Sequence, residues 1–165
     1  MFRRLLVAIN DGDGSAAAVS FAVSQANPVE SQVHVVHVNE YIPSSRSVPL
    51  NTDDEATQVV VEAIEQLRLE GIRAAGSVRR ADHREVAQVI AATAVETGSE
   101  AIVIGSNRRR RFGVPRRARL HDQIMALSPL PILTAPPPLS IPTDTRSLGE
   151  QVPNRRPQRR SRLTA

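Results

Sequence analysis

Short apolar runs alternate along the chain with longer segments whose apolar residues repeat at helical spacing. Each run is bounded by turn-forming or charged residues, which is typical of buried strands. Four segments between the runs repeat apolar residues at helical spacing and therefore predict helices, and residues 56–67 show the full pattern at i, i+3, i+4, i+7, i+8 and i+11. The predicted strands are residues 4–9, 32–39, 72–79, 100–104 and 132–135.

Capping signals mark the starts of three of these helices. Residues 52–55 (TDDE) form a capping box, and Gly71 closes the helix that follows. We expect Ser15 to cap the first helix. We also expect Asp82 and Glu85 to repeat the capping pattern before the third helix.

The regular alternation of strands and helices predicts one α/β domain over residues 1–135. Its strands would form a parallel sheet joined by right-handed crossovers. Ligands bind such sheets beyond the carboxyl ends of the strands. The ends of strands 1, 2 and 4 therefore make Asn10, residues 38–39 and Gly105 the first candidates for a site.

Positive charge is concentrated in two parts of the chain. All 21 basic residues are Arg, and the formal net charge is +4. Residues 108–119 hold seven Arg and no acid, whereas residues 136–165 are rich in Pro and Arg and lack periodicity. We predict that residues 136–165 are a disordered tail. The chain has neither a run long enough to cross a membrane nor a signal-peptide core, so we expect a cytoplasmic protein.

No arrangement of residues predicts catalysis or a metal site. His34 and His37 lie three apart on a strand and therefore face opposite sides of the sheet. Asp11 and Asp13 are the residue type that binds Mg²⁺, but an acidic turn explains them equally well. The chain has no Cys and no recognised nucleophile or metalloprotease motif. We therefore predict a binding or regulatory protein without enzymatic activity.

Three segments together indicate a family. They are RLLVAINDGDGSAAAVSFA at 4–22, VHVVHVNEY at 33–41 and, within 100–135, EAIVIGSNRRRRFGVP followed by HDQIMALSPLPILTA. In order and spacing they resemble the universal stress protein family. The resemblance implies a five-stranded parallel sheet in the order 3-2-1-4-5 with helices on both faces. It also implies homodimers that form through the last strand, here residues 131–135.

Nucleotide-binding members of that family carry the motif G-x-x-G-(x)9-G-[ST] after strand 4. Glycines in such a loop let backbone N–H groups approach phosphate oxygens. Gly105 matches the first glycine, but the other three positions are Arg108, Ala118 and Arg119. The resemblance therefore implies an ATP loop that has lost most of its motif.

The resemblance extends the candidate site to the first two strands. It implies ligand contacts from Ala8 and Asn10 at the end of strand 1, although Asn10 stands where an acidic residue is expected. It also implies that the backbone of Val38 lies where adenine is held in binding members.

These observations leave three functions open. The first is a dimeric stress-response binding or regulatory module without efficient ATP binding and without a required cofactor. The second is an adenine-nucleotide-binding protein in which Arg108 and Arg119 replace the glycine loop as phosphate ligands. The third is a polyanion binder that uses residues 108–119 and the tail. The scarcity of aromatic residues does not favour nucleic acid as the ligand.

Overall fold

A computed structural model gives one parallel sheet of five strands in the order β3-β2-β1-β4-β5. It describes residues 1–10, 12, 14–41, 49–106 and 116–137, with the side chains of 116–119 left out. The predicted sheet order is confirmed. The strands are β1 (Arg4–Ile9), β2 (Gln32–Tyr41), β3 (Arg73–Asp82), β4 (Ala101–Ile104) and β5 (Ile132–Thr134). The helices are α1 (Gly14–Gln25), α2 (Asp53–Leu69), α3 (Val86–Glu96) and α4 (Arg116–Leu127).

The central strands β1 and β4 are buried on both faces. Leu5 and Val7 pack with α1 and α2 on one face, whereas Leu6 packs with α3 and α4 on the other. All four residues of β4 are buried. Because neither face of these strands meets water, their sequences are continuous apolar runs rather than alternating patterns.

β2 and β3 extend beyond the central strands. They stay in register from Gln32 and Arg73 to Tyr41 and Asp82, whereas β1 ends at Ile9, opposite His37 of β2. The four further residues of β2 carry this two-stranded extension about 13 Å past β1, at ~3.3 Å per residue. The extension forms one wall above the carboxyl end of the sheet.

The α2 helix begins at the predicted capping box. The Glu55 amide donates to the Thr52 hydroxyl (3.2 Å), and the Thr52 amide donates to the Glu55 carboxylate (2.9 Å). The hydrogen bond from the Thr52 amide, followed by that from its hydroxyl, holds the pKa of Glu55 below its ordinary value. The helix ends before Gly71, whose φ of 76° is the left-handed conformation that favours glycine.

The other two capping predictions are wrong. α1 begins at Gly14, so Ser15 lies inside the first turn, where its hydroxyl is hydrogen-bonded to Asn10 instead. β3 runs as far as Asp82, and α3 begins only at Val86. Glu85 precedes that helix and makes no side-chain capping hydrogen bond.

No helix in the described part of the chain is long and apolar enough to cross a membrane.

We expect Thr52→Ala to destabilise the protein by about 1 kcal/mol, because the first turn of α2 loses a hydroxyl that accepts from its backbone. Thr57→Ala is the matched control. The Thr57 hydroxyl only donates to Asp53 within the same helix, and Ala is the better helix former. Urea unfolding at pH 7 measures both changes, and equal effects of the two substitutions would contradict the prediction.

The cost of Thr52→Ala is also expected to depend on pH. A lowered carboxyl pKa stabilises the fold above the unfolded pKa of that group and ceases to do so as the pH falls through the folded value. The deficit of Thr52→Ala should therefore shrink as Glu55 becomes protonated, because the Thr52 hydroxyl also donates to that carboxylate. Unfolding measured at successively lower pH would show this change.

Candidate functional site

A cleft of about 520 Å³ lies at the carboxyl ends of the strands, between the central sheet and the β2–β3 extension. It is the position at which open α/β sheets bind ligands. Residues from β1, β2 and β4, from the β3–α3 connection and from α3 and α4 contribute to it. They are Ala8, Ile9, Asn10, Val36, Val38, Glu40, His83, Arg84, Val86, Ile90, Ile104, Gly105, Leu120 and Gln123.

The floor of the cleft is apolar. Val36 and Val38 lie two apart on β2 and so face the same side of the sheet. They belong to the cluster that α3 and α4 cover, as do Ala8 and Ile104 from the central strands. Val36 is fully buried, whereas Ala8 and Val38 are only partly buried and keep surface toward the cleft. The floor therefore offers a non-polar surface to a flat ligand group.

A hydrogen-bonded turn fixes Asn10 at the end of β1. The Asn10 amide donates to the Ser15 hydroxyl (2.8 Å), and that hydroxyl is hydrogen-bonded to the carbonyl of Asn10. The side-chain oxygen of Asn10 also accepts from the amide of Gly12 at 3.2 Å. Ser15 therefore positions a cleft residue. A serine between a strand and a helix could equally be a helix cap, so the sequence alone does not reveal this role.

Asn39 has a structural role. Its side chain is buried, donates to the carbonyl of Asn51 (2.8 Å) and accepts from the amide of Asn51 (3.2 Å). These bonds hold the chain immediately before the α2 capping box. Of the two β2 residues proposed from the sequence, only Val38 borders the cleft.

The β3–α3 turn supplies two cleft residues that sequence reasoning missed. Asp82 accepts from the amide of Arg84 (2.9 Å), and its carboxylate lies 2.8 Å from Nδ1 of His83. The turn thus brings both His83 and Arg84 to the cleft. They were missed because strand 3 was predicted to end at Arg79, three residues early. The same rule about carboxyl ends, applied to Asp82, identifies them.

The two strand histidines lie on opposite faces, as predicted. Nδ1 of His37 lies 3.3 Å from the carbonyl of Ile9, and Nε2 of His34 lies 3.0 Å from the Ser77 hydroxyl. Burial, together with the positive charge of Arg79, lowers the pKa of His34. Among the described residues no group of three or more His, Asp or Glu side chains could hold a metal ion. Asp11 and Asp13 lie outside the described residues.

Four of the seven proposed site residues surround this cleft: Ala8, Asn10, Val38 and Gly105. Ala118 and Arg119 lie in the first turn of α4, but their side chains are outside the described part of the structure. Arg108 is outside the described residues altogether. The arrangement therefore brings the β1, β2 and β4 positions together, and the arginine loop stays a prediction.

The architecture is that of a doubly wound α/β domain with a cleft at the carboxyl edge of its sheet. The model of the universal stress protein family matches residues 1–136. The chain therefore belongs to the universal stress protein family, as its sequence indicated. No curated protein matches the chain significantly.

Solved structures share this fold at low sequence identity. A universal stress protein from Burkholderia pseudomallei is 19% identical with a TM-score of 0.64, covering 81% of this chain and 96% of its own. The universal stress protein from Archaeoglobus fulgidus in complex with dAMP is 23% identical with a TM-score of 0.59, covering 81% and 97%. A family protein from Arabidopsis thaliana with AMP bound is 13% identical with a TM-score of 0.60, covering 86% and 97%.

We expect Ser15→Ala to cost about 1 kcal/mol of stability, because it removes the hydrogen-bond partner of the Asn10 amide. Ser20→Ala is the control, since Ser20 is exposed on the same helix and accepts only a long bond of 3.4 Å from Gln66. Thermal unfolding of the two variants measures the difference. A cost for Ser20→Ala as large as that for Ser15→Ala would show that the Asn10 turn contributes nothing specific.

Proposed function

We propose that this protein is a regulatory ligand-binding module whose cleft holds a nucleoside or nucleoside monophosphate and does not bind ATP efficiently. The observation that carries the proposal is the cleft of about 520 Å³ at the carboxyl edge, with an apolar floor and a polar rim. Small-molecule sites are commonly concave, mainly apolar and supplied with a few polar groups that fix orientation. A planar base would contact the apolar floor beside Val38, and a ribose would contact the polar rim.

The phosphate loop argues against efficient ATP binding. After Gly105 the chain has Arg108, Ala118 and Arg119 at the positions where binding relatives carry two glycines and a hydroxyl residue. Backbone N–H groups that approach phosphate closely need the freedom of glycine. The related structures from Archaeoglobus fulgidus and Arabidopsis thaliana hold dAMP and AMP, both monophosphates. A ligand with one phosphate places the smallest demand on this loop.

The proposal assigns no catalytic role to the cleft. None of the described residues that line it is a Ser, Thr or Cys, so the described lining offers no hydroxyl or thiol nucleophile. His83 is engaged with Asp82. Regulation would then operate through ligand occupancy rather than turnover.

The two arginine-based alternatives remain predictions. The remodelled ATP site depends on Arg108 and Arg119, and the polyanion hypothesis depends on residues 108–119 and 136–165. Residues 107–115 and 138–165 lie outside the described structure. The cytoplasmic location, and the division into a domain over 1–135 and a disordered tail over 136–165, are likewise proposals from the sequence.

Within the described part of the chain no strand pairs with the outer edge of β5, and this edge supports the proposed homodimer. Pro131 and Ala135 are hydrogen-bonded to β4. By the alternation of a parallel ladder, Ile132 and Thr134 direct their backbone groups away from β4. An edge of this kind is a ready template for pairing with a second strand. We propose that residues 131–135 of two copies pair there.

Isothermal titration with adenosine, AMP, ADP and ATP tests the ligand proposal. We expect adenosine and AMP to bind, and ATP to bind no more tightly than AMP, because the added phosphates meet no glycine loop. Val38→Phe should weaken AMP binding by roughly tenfold or more, since it fills the cleft. Val61→Phe makes the same change on the exposed side of α2 and should have no effect. Micromolar ATP binding that exceeds AMP binding would refute the proposal.

Sedimentation equilibrium tests the dimer. We expect the intact chain to sediment at twice its monomer mass of 18.0 kDa. Thr134→Pro removes an outward-facing N–H from the edge strand and should give monomers, since a proline on an edge blocks further pairing. Thr134→Ala retains that N–H and should remain dimeric. A dimer that persists in Thr134→Pro would place the interface elsewhere.

A further inference from the structure

The turn between β3 and α3 is held by one carboxylate. Asp82 accepts from the amide of Arg84 (2.9 Å) and lies 2.8 Å from Nδ1 of His83. Its carbonyl accepts from the amide of Glu85 at 2.8 Å. These bonds fix the backbone that carries Arg84 to the cleft. Asp82 is thereby committed to His83 and to the backbone of the turn.

The Arg84 guanidinium differs from those of its neighbours on β3. Arg79 is paired with Glu96 at 2.6 Å, and Arg80 is paired with Asp53. Arg84 lines the cleft and is exposed, and its guanidinium has no ion pair or hydrogen bond to any described residue. It is therefore a cation with donors available to a ligand.

The geometry points to Arg84 as the residue that selects an anionic group on the cleft ligand, which would be a phosphate monoester. This inference rests on the proposed nucleoside-binding function and adds the position of the charge. Arg84 would hold this phosphate from the β3–α3 turn, in place of the glycines that the loop after Gly105 lacks. A guanidinium presents a planar set of donors that matches two oxygens of one phosphate.

The described lining offers one cation to a ligand phosphate. Arg84 is the only arginine among the described residues that line the cleft. A single guanidinium fits one phosphate better than it fits the three phosphates of a triphosphate.

The test compares adenosine with AMP on the full-length chain. In the wild type we expect AMP to bind at least roughly tenfold more tightly than adenosine, as hydrogen bonds to a charged partner allow. Arg84→Gln should reduce AMP affinity to that of adenosine and leave adenosine affinity unchanged. Arg79→Gln removes the same charge from β3 outside the cleft lining and should preserve the AMP preference. Thermal unfolding of each variant shows that the fold is retained.

Each outcome separates this inference from the proposed function. If the wild type binds adenosine but Arg84→Gln keeps the AMP preference, the inference fails and the proposed function stands. Equal loss of adenosine and AMP affinity in Arg84→Gln would assign Arg84 to the shape of the cleft and also overturn the inference. Loss of the preference in Arg108→Gln alone would place the phosphate on the β4 side. If neither ligand binds the wild type at millimolar concentration, both proposals fail.

Discussion

The burial of β1 and β4 on both faces is the constraint on which the rest of the structure depends. Leu5, Leu6 and Ile102 lie at the contact between the sheet and its two helical layers and are essentially inaccessible to solvent. Strands enclosed in this way cannot carry unpaired polar side chains along their length without a large desolvation cost. Polar chemistry is therefore confined to their carboxyl ends, where Asn10 and Gly105 meet the cleft.

Much of the fold could be predicted because strands buried on both faces require continuous apolar runs in the sequence. The enclosed strand β1 was predicted with its exact bounds, and the α2 capping box and Gly71 marked that helix at both ends. β3 was harder because it is an edge strand with many exposed residues, including Arg79 and Arg80. Its polar end looked like a turn, so the strand was predicted to stop too early.

The site was predictable only where it depends on the enclosed strands. The rule about carboxyl ends places Asn10 and Gly105 correctly at one edge. His83 and Arg84 reach the cleft through hydrogen bonds to the Asp82 carboxylate, which compete with helix capping for the same side chain. A single sequence does not reveal whether such a side chain caps a helix or bonds to the backbone of a turn. Ser15 illustrates the same competition, since its hydroxyl is bonded to Asn10 rather than to a helix terminus.

The family fold determines where the cleft lies, and the side chains of this sequence determine its chemistry. The sheet order supplies a place where several strand ends converge, which related proteins share at the level of fold. The apolar floor and the charged rim are made by side chains, among them Val38 and Arg84, which the sheet order by itself does not specify. A domain of one fold can thus differ in its ligand while its core stays the same.

The β2–β3 extension sets how far one wall of the cleft rises past the end of β1. Beyond His37, β2 no longer pairs with β1 and pairs instead with β3 and, at Tyr41, with Pro49 through an antiparallel bridge. Shortening or lengthening both by two residues would move the following turn by ~6–7 Å yet keep every side chain on its original face. The length of the extension therefore sets the position of the turn at its end. Insertions and deletions there could resize the compartment for larger or smaller molecules without repacking a single residue of β1 or β4.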